Sequence, residues 1–191
     1  MDINQEDGLK IISLNIEQDK HFDRILPFLK ENQPDIVLLQ EVFAKDIPFI
    51  EKATGMKSAF AILNTFRGVE NSQAGILNLS SVAVIKSNSI YYRGNGSDPP
   101  VIGLEPGEGA NMARAILVTE CIKGNHQYCV INTHFTWTPD GHPSENQRID
   151  IDIMLQQLAK IPEFILAGDF NAARGRPIFN KLASTVNRAL N

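Results

Sequence analysis

Four short apolar runs end on polar side chains, and this pattern restricts the fold more than any other feature of the chain. "LKIISLNI" (9–16) reaches Asn15, and "PDIVLLQEV" (34–42) reaches Gln40 and Glu41. "INTHF" (131–135) reaches His134, and "FILAGDF" (164–170) reaches Asp169, with Asn171 close behind. In the first run Ile12, Leu14 and Ile16 alternate with Ser13 and Asn15, the period-two pattern of a strand. In the second, the unbroken stretch from Ile36 to Leu39 suits a strand covered on both faces. A strand holds the side chain at its end rigidly, as a reacting group requires.

Between these runs the elements alternate. Phe22, Ile25, Leu26 and Leu29 keep helical spacing, and Pro27 within that pattern predicts a late start or a kink. A short helix is expected over 45–53, and strands over 58–64 and 80–87. "RGNGSDPPVIGLEPGEGAN" (93–111) is rich in Gly and Pro and reads as a surface loop. "ARAILVTECI" and "HQYCVINTHF" form a hairpin around Gly124-Asn125, in a register that sets Cys121 opposite Tyr128. Cys121 and Cys129 are then two thiols, not a disulfide. "SENQ" (144–147) fits a capping box, with Ser144 accepting from the third amide and Gln147 reaching back, and opens a helix to about Lys160. Ile151, Leu155 and Leu158 share one face of it. Pro177 opens a last helix whose Phe179, Leu182, Val186 and Leu190 form a stripe. The whole, residues 1–191, is expected to be one α/β (α+β) domain of stacked sheets with helices outside.

Composition narrows the function. Hydrophobic residues make up 43% and charged residues 21%, as in a globular chain. No run approaches a membrane span, and the polar N-terminus lacks the regions of a signal peptide, so a cytoplasmic protein is expected. Net charge is −4, from 22 acidic and 18 basic residues, which disfavours a processive grip on a long polyanion. Basic residues cluster only late, at Arg174, Arg176, Lys181 and Arg188. Small phosphoesters remain open as substrates.

The polar strand ends agree chemically. Glu41 is a hard oxygen ligand suited to Mg²⁺, which takes one or two carboxylates and keeps its waters. Asp169 could orient or deprotonate a water, and Asn171 could hold that water or donate to phosphate. His134 could donate to a non-bridging oxygen. Arg114 could add a fixed positive donor, or form only a surface salt bridge. Trp137 and Phe135 could line a pocket or simply pack, and Gln40 reads better as structural. HExxH, GxSxG and a P-loop are absent, and the two cysteines lack zinc spacing.

"LKIISLNI", "PDIVLLQEV", "INTHF" and "LAGDFNAARGRP", in this order, resemble the endonuclease/exonuclease/phosphatase superfamily, from Leu9 to about Leu182. The resemblance implies a DNase I-like four-layer sandwich, a two-sheet core flanked by helices. It implies a Mg²⁺-dependent phosphoester hydrolase, with Mn²⁺ as the substitute ion, acting on nucleic acid, a phospholipid head group or a small phosphoester. By the same resemblance Glu41 matches the metal-ligand glutamate and Asn15 the asparagine beside it. His134 matches the phosphate-contacting histidine, and Asp169 and Asn171 the pair that handles the attacking water. Arg114 matches a phosphate-binding residue by position. The family pattern continues into further strands with a Ser-Asp-His, which this chain is expected to lack. That departure implies reduced activity and an exposed sheet edge that a second copy could cover. It keeps open a non-catalytic phosphate- or partner-binding descendant, or a gene fragment.

Overall fold

The computed structural model describes residues 8–68, 70, 72–103 and 111–186. Residues 104–110 of the expected loop, together with Arg188 and Leu190, lie outside the described residues.

The chain folds as four layers. One sheet runs in the order β1 (Ile11–Asn15), β2 (Ile36–Phe43), β4 (Gln73–Ser80), β3 (Lys57–Phe66), β6 (Val101–Ile102). The other runs β5 (Ala83–Arg93), β7 (Arg114–Lys123), β8 (His126–His134), β9 (Ile165–Asp169). Helices α1 (Phe22–Asn32) and α2 (Ile47–Thr54) cover the first sheet, and α3 (Glu145–Leu158) and α4 (Pro177–Val186) cover the second.

The expected double coverage of β2 follows from its side-chain alternation. Val37 and Leu39 face Leu29 and Ile50 of the helix layer, while Ile36 and Leu38 face Cys121 and Val130 of the other sheet. Helix α1 starts at Phe22 and runs through Pro27 instead of starting late. Its Gln33 cap turns left-handed and donates its N–H to the Leu29 carbonyl.

Two amides stitch the sheets together. Asn132 of β8 donates to the Leu39 and Leu77 carbonyls at 3.0 and 3.2 Å, and Asn78 of β4 donates to the Leu117 carbonyl at 3.1 Å. Gln40 donates to Asn132 Oδ1 at 2.7 Å, so its role is structural. Each contact satisfies a buried polar group that would otherwise cost stability.

Several sequence expectations change. The strand expected over 80–87 is two strands meeting at a turn: β4 ends at Ser80 and β5 begins at Ala83. The body of β4 carries no strand expectation at all. The 93–111 loop contains the short β6, paired in parallel with β3. Helix α3 stops at Leu158, and the buried face of α4 is Ile178 and Leu182, with Phe179 only half-buried. The hairpin has the expected register, Cys121 opposite Tyr128, and both cysteines are free thiols. Among the described residues no helix is long and apolar enough to cross a membrane.

Candidate active site at the strand ends

Register brings the polar strand ends together. Asn15, last in β1, pairs with Gln40, which places it next to Glu41, and His134, last in β8, pairs with Asp169, last in β9. Arg114 opens β7 at the same end of the sandwich, because β7 runs antiparallel to β8. Inter-sheet packing then closes these groups into one cleft of about 480 Å³ lined by Asn15, Glu41, Arg114, His134, Asp169 and Asn171.

Local backbone irregularities aim the side chains. Between Leu39 and Val42, β2 carries one residue more than β4 opposite, a bulge in which Glu41 takes φ 61°. Asn171 is also left-handed, at φ 45°. Gly168 lets β9 approach β8 closely, since a Cβ there would lie 2.1 Å from the Thr133 carbonyl oxygen.

Asn15 is the hub. Its Nδ2 donates to Glu41 Oε1 and to Asp169 Oδ2, both at 3.0 Å. The two carboxylates therefore lie within about two hydrogen-bond lengths of each other. Each has one oxygen near His134 Nε2, at 3.9 Å for Glu41 and 3.8 Å for Asp169, too long for hydrogen bonds. Asp169 Oδ1 accepts from the Asn171 N–H at 3.0 Å, and Asn171 Nδ2 donates to the Phe135 carbonyl at 3.0 Å, leaving the amide oxygen of Asn171 as its acceptor.

Burial sets the charge state of His134. Desolvation is the main effect lowering its pKa, to about 4; the Arg114 guanidinium adds to this and Asp169 opposes it. The ring is therefore neutral at pH 7 and carries one proton. Nδ1 is buried without a partner among the described residues, so we assign the proton to Nε2, the nitrogen that faces the carboxylates. Arg114 is 1% exposed and its Nη1 donates to the His134 carbonyl at 3.1 Å, which excludes the surface salt bridge. Burial also lowers the Arg114 pKa.

Other residues join the site without having been singled out. Gln18, at φ 64° in the loop after β1, donates to Glu41 Oε2 at 2.9 Å, and Lys20 lines the cleft. No local pattern marks Gln18; its N–H also donates to the Glu41 carbonyl at 3.1 Å, so the contact comes from the pairing with β2 carried past Asn15. Ser144 accepts from the Gln147 N–H at 3.1 Å as expected. The Gln147 side chain does not reach back, however. It donates instead to the carbonyls of Thr136 and Asn171, at 2.6 and 3.1 Å. Of the two aromatic candidates, Trp137 is about half exposed and lines the cleft, while Phe135 is core. The late basic cluster is partly neutralised, because Lys181 pairs with Asp152.

Residues 12–189 match the model of the endonuclease/exonuclease/phosphatase family. The chain belongs to this family. No curated protein matches it by sequence. Among solved structures, a family member from Bacteroides vulgatus has 17% identity and a TM-score of 0.71, over 92% of this chain and 70% of that one. The mannosyl-6-phosphatase of Bacteroides thetaiotaomicron has 13% identity and a TM-score of 0.71, over 93% and 70%. The human Nocturnin catalytic domain, solved with bound sulfate, has 21% identity and a TM-score of 0.68, over 96% and 73%. At these identities the likeness is one of fold, and it is the four-layer sandwich already described.

Of these groups, Glu41, Asp169 and Asn15 are the ones that could hold a hard cation. Among the described residues neither Glu41 nor Asp169 has a Lys or Arg within ion-pair distance, and no group of three or more His, Cys, Asp or Glu forms an all-protein cage. Two neighbouring carboxylates, an amide and open space fit an ion that keeps most of its waters.

Proposed function

We propose that this chain is a divalent-metal-dependent phosphoester hydrolase in which water attacks phosphorus. The observation that carries the proposal is the hub at Asn15, which holds Glu41 and Asp169 within reach of one site beside a neutral histidine. Glu41, with Asn15 beside it, would hold Mg²⁺ or Mn²⁺. When bound, the ion neutralises charge on the phosphoryl oxygens.

The remaining roles belong to protein groups. Asp169 Oδ2 accepts a proton from the attacking water, and the Asn171 amide oxygen holds that water in line. The ester P–O bond opposite breaks, and its oxygen takes a proton from solvent and leaves as an alcohol. The Asn171 N–H fixes the other Asp169 oxygen, so the carboxylate keeps one orientation. His134 Nε2–H donates to a non-bridging oxygen and gains strength as negative charge grows there. Arg114, buried behind the histidine, adds positive potential to the phosphate position and anchors the His134 backbone. Catalysis of this kind is positioning plus electrostatic stabilisation.

Hydrolysis of bis(4-nitrophenyl) phosphate with Mg²⁺ or Mn²⁺ tests the proposal. Glu41→Ala and Asp169→Ala are each expected to lower kcat by at least ~10²-fold, the scale of losing one transition-state interaction. Turnover that survives both substitutions and EDTA would remove the proposal.

A further inference from the structure

A second cavity of about 220 Å³ adjoins the cleft and shares Glu41, Met112 and His134 with it. Its walls are otherwise mostly apolar: Phe66, Ala74, Gly75 and Ile102. Two amides also line it: Gln18, which donates to Glu41 Oε2, and Asn64, which has no accessible surface. Neither its Nδ2 nor its Oδ1 has a hydrogen-bond partner among the described residues. A buried amide left unpaired at both ends is destabilising, so an apolar side chain would serve the fold better.

The backbone is bent to put it there. Ile62 pairs with Gly75 and Asn64 with Ala74, so Leu63 is an extra residue in β3. In regular alternation Asn64 would share the outer face with Phe60 and Ile62. The bulge turns it to the inner face, toward the cleft. Gly75 lies opposite this bulge and, on its other side, beside the bulge that turns Glu41. One glycine thus adjoins both distortions, and both aim a polar side chain at the same end of the sandwich.

We propose that this pocket is a substrate subsite for a nucleobase, with Asn64 reading a base edge that offers a donor and an acceptor side by side. The inference rests on the hydrolase reading, because the walls shared at Glu41 and His134 put the occupant next to the scissile phosphate. An Asn amide pairs in this way with the N6/N7 edge of adenine. Phe66 and Met112 offer an aromatic and a polarizable apolar contact to a flat ring. An anionic group would be repelled by Glu41 at the rim. A polyol has no flat face for Phe66 and Met112 to cover. Neither amide atom of Asn64 is accessible to solvent, so a base meets it only once a wall side chain gives way; Met112, unbranched and common to both cavities, is the one best able to move.

Calorimetric titration with adenosine 5′-monophosphate and with ribose 5-phosphate, in the presence of Mg²⁺, tests the subsite. The unaltered protein should bind the nucleotide at least ten-fold more tightly than the sugar phosphate, and Asn64→Leu should bring the two affinities to within about two-fold of each other. Equal affinities in the unaltered protein, or a preference that persists in Asn64→Leu, overturn the proposal. The first comparison needs no variant to fold. Hydrolysis of bis(4-nitrophenyl) phosphate separates the two readings. A base preference without hydrolysis keeps the subsite and removes the hydrolase, and hydrolysis without a base preference does the reverse.

Discussion

The same substitution should have opposite signs at two buried asparagines. Asn64 is fully buried with both amide atoms unpaired, and each unsatisfied group costs about 1–3 kcal/mol. Asn64→Leu removes both and adds an apolar body beside Phe66 and Ala74, with the adjoining cavity to take the extra bulk. Part of the gain is offset by repacking, of order 1 kcal/mol for an imperfect fit. The expected net is a stabilisation of about 2 kcal/mol, which for a domain of this length raises Tm by roughly 4–8 °C. Asn132 is equally buried, but its Nδ2 donates to the Leu39 and Leu77 carbonyls and its Oδ1 accepts from Gln40. Asn132→Leu leaves those groups unpaired between the sheets and should destabilise by about 3 kcal/mol or more. Urea and thermal unfolding, followed by circular dichroism on the same preparations, measure both. If Asn64→Leu is neutral or destabilising while its spectrum stays native, the Asn64 amide is satisfied in the folded protein. The physical reason for reading it as a recognition group then disappears.

Three further outcomes are expected. Gln147→Met removes the donor to the Thr136 and Asn171 carbonyls and frees the Asn171 turn; bis(4-nitrophenyl) phosphate kcat should fall ~10–100-fold, as for other outer-shell changes, with a stability loss of about 1–3 kcal/mol read from the urea midpoint. Gly75→Ala would put a Cβ 1.9 Å from the Ala61 carbonyl oxygen, so β3 and β4 must part; a loss of about 3 kcal/mol or more is expected by thermal unfolding. Asn15→Leu removes the shared donor from Glu41 and Asp169 at an exposed position, so calorimetry should show Mn²⁺ affinity lowered ~10–100-fold while Tm changes by less than about 3 °C.

How much could be read from the sequence depends on whether a residue's role is local. β1, β2, β8 and β9 were readable because each concentrates apolar residues and then stops at a polar one. The capping serine Ser144 and the helix-opening Pro177 were readable because capping is decided within one turn. β4 was not, because Gly75 and Asn78 interrupt its apolar pattern, and both answer to distant strands. β5 was placed too early because Ala83–Ser89 is exposed, so hydrophobic alternation scarcely marks that half of the strand. Gln147 satisfies the capping pattern, but its side chain is claimed by two carbonyls that only the tertiary fold brings near.

The site shows the same division. Glu41, His134 and Asp169 were identifiable as polar ends of apolar strands, yet nothing local says that Glu41 turns inward, because a regular β2 would alternate past it. The bulge decides its direction, and the bulge depends on the strand opposite. Gly75 is the common element, pairing with Val42 just beyond the Glu41 bulge and with Ile62 just before the Asn64 bulge. A side chain at position 75 would press on the β3 backbone and disturb the strand that orients Asn64 before it touched any reacting group. Damage from Gly75→Ala should therefore appear first in stability and base preference, and in phosphoester chemistry only as far as the strain reaches β2.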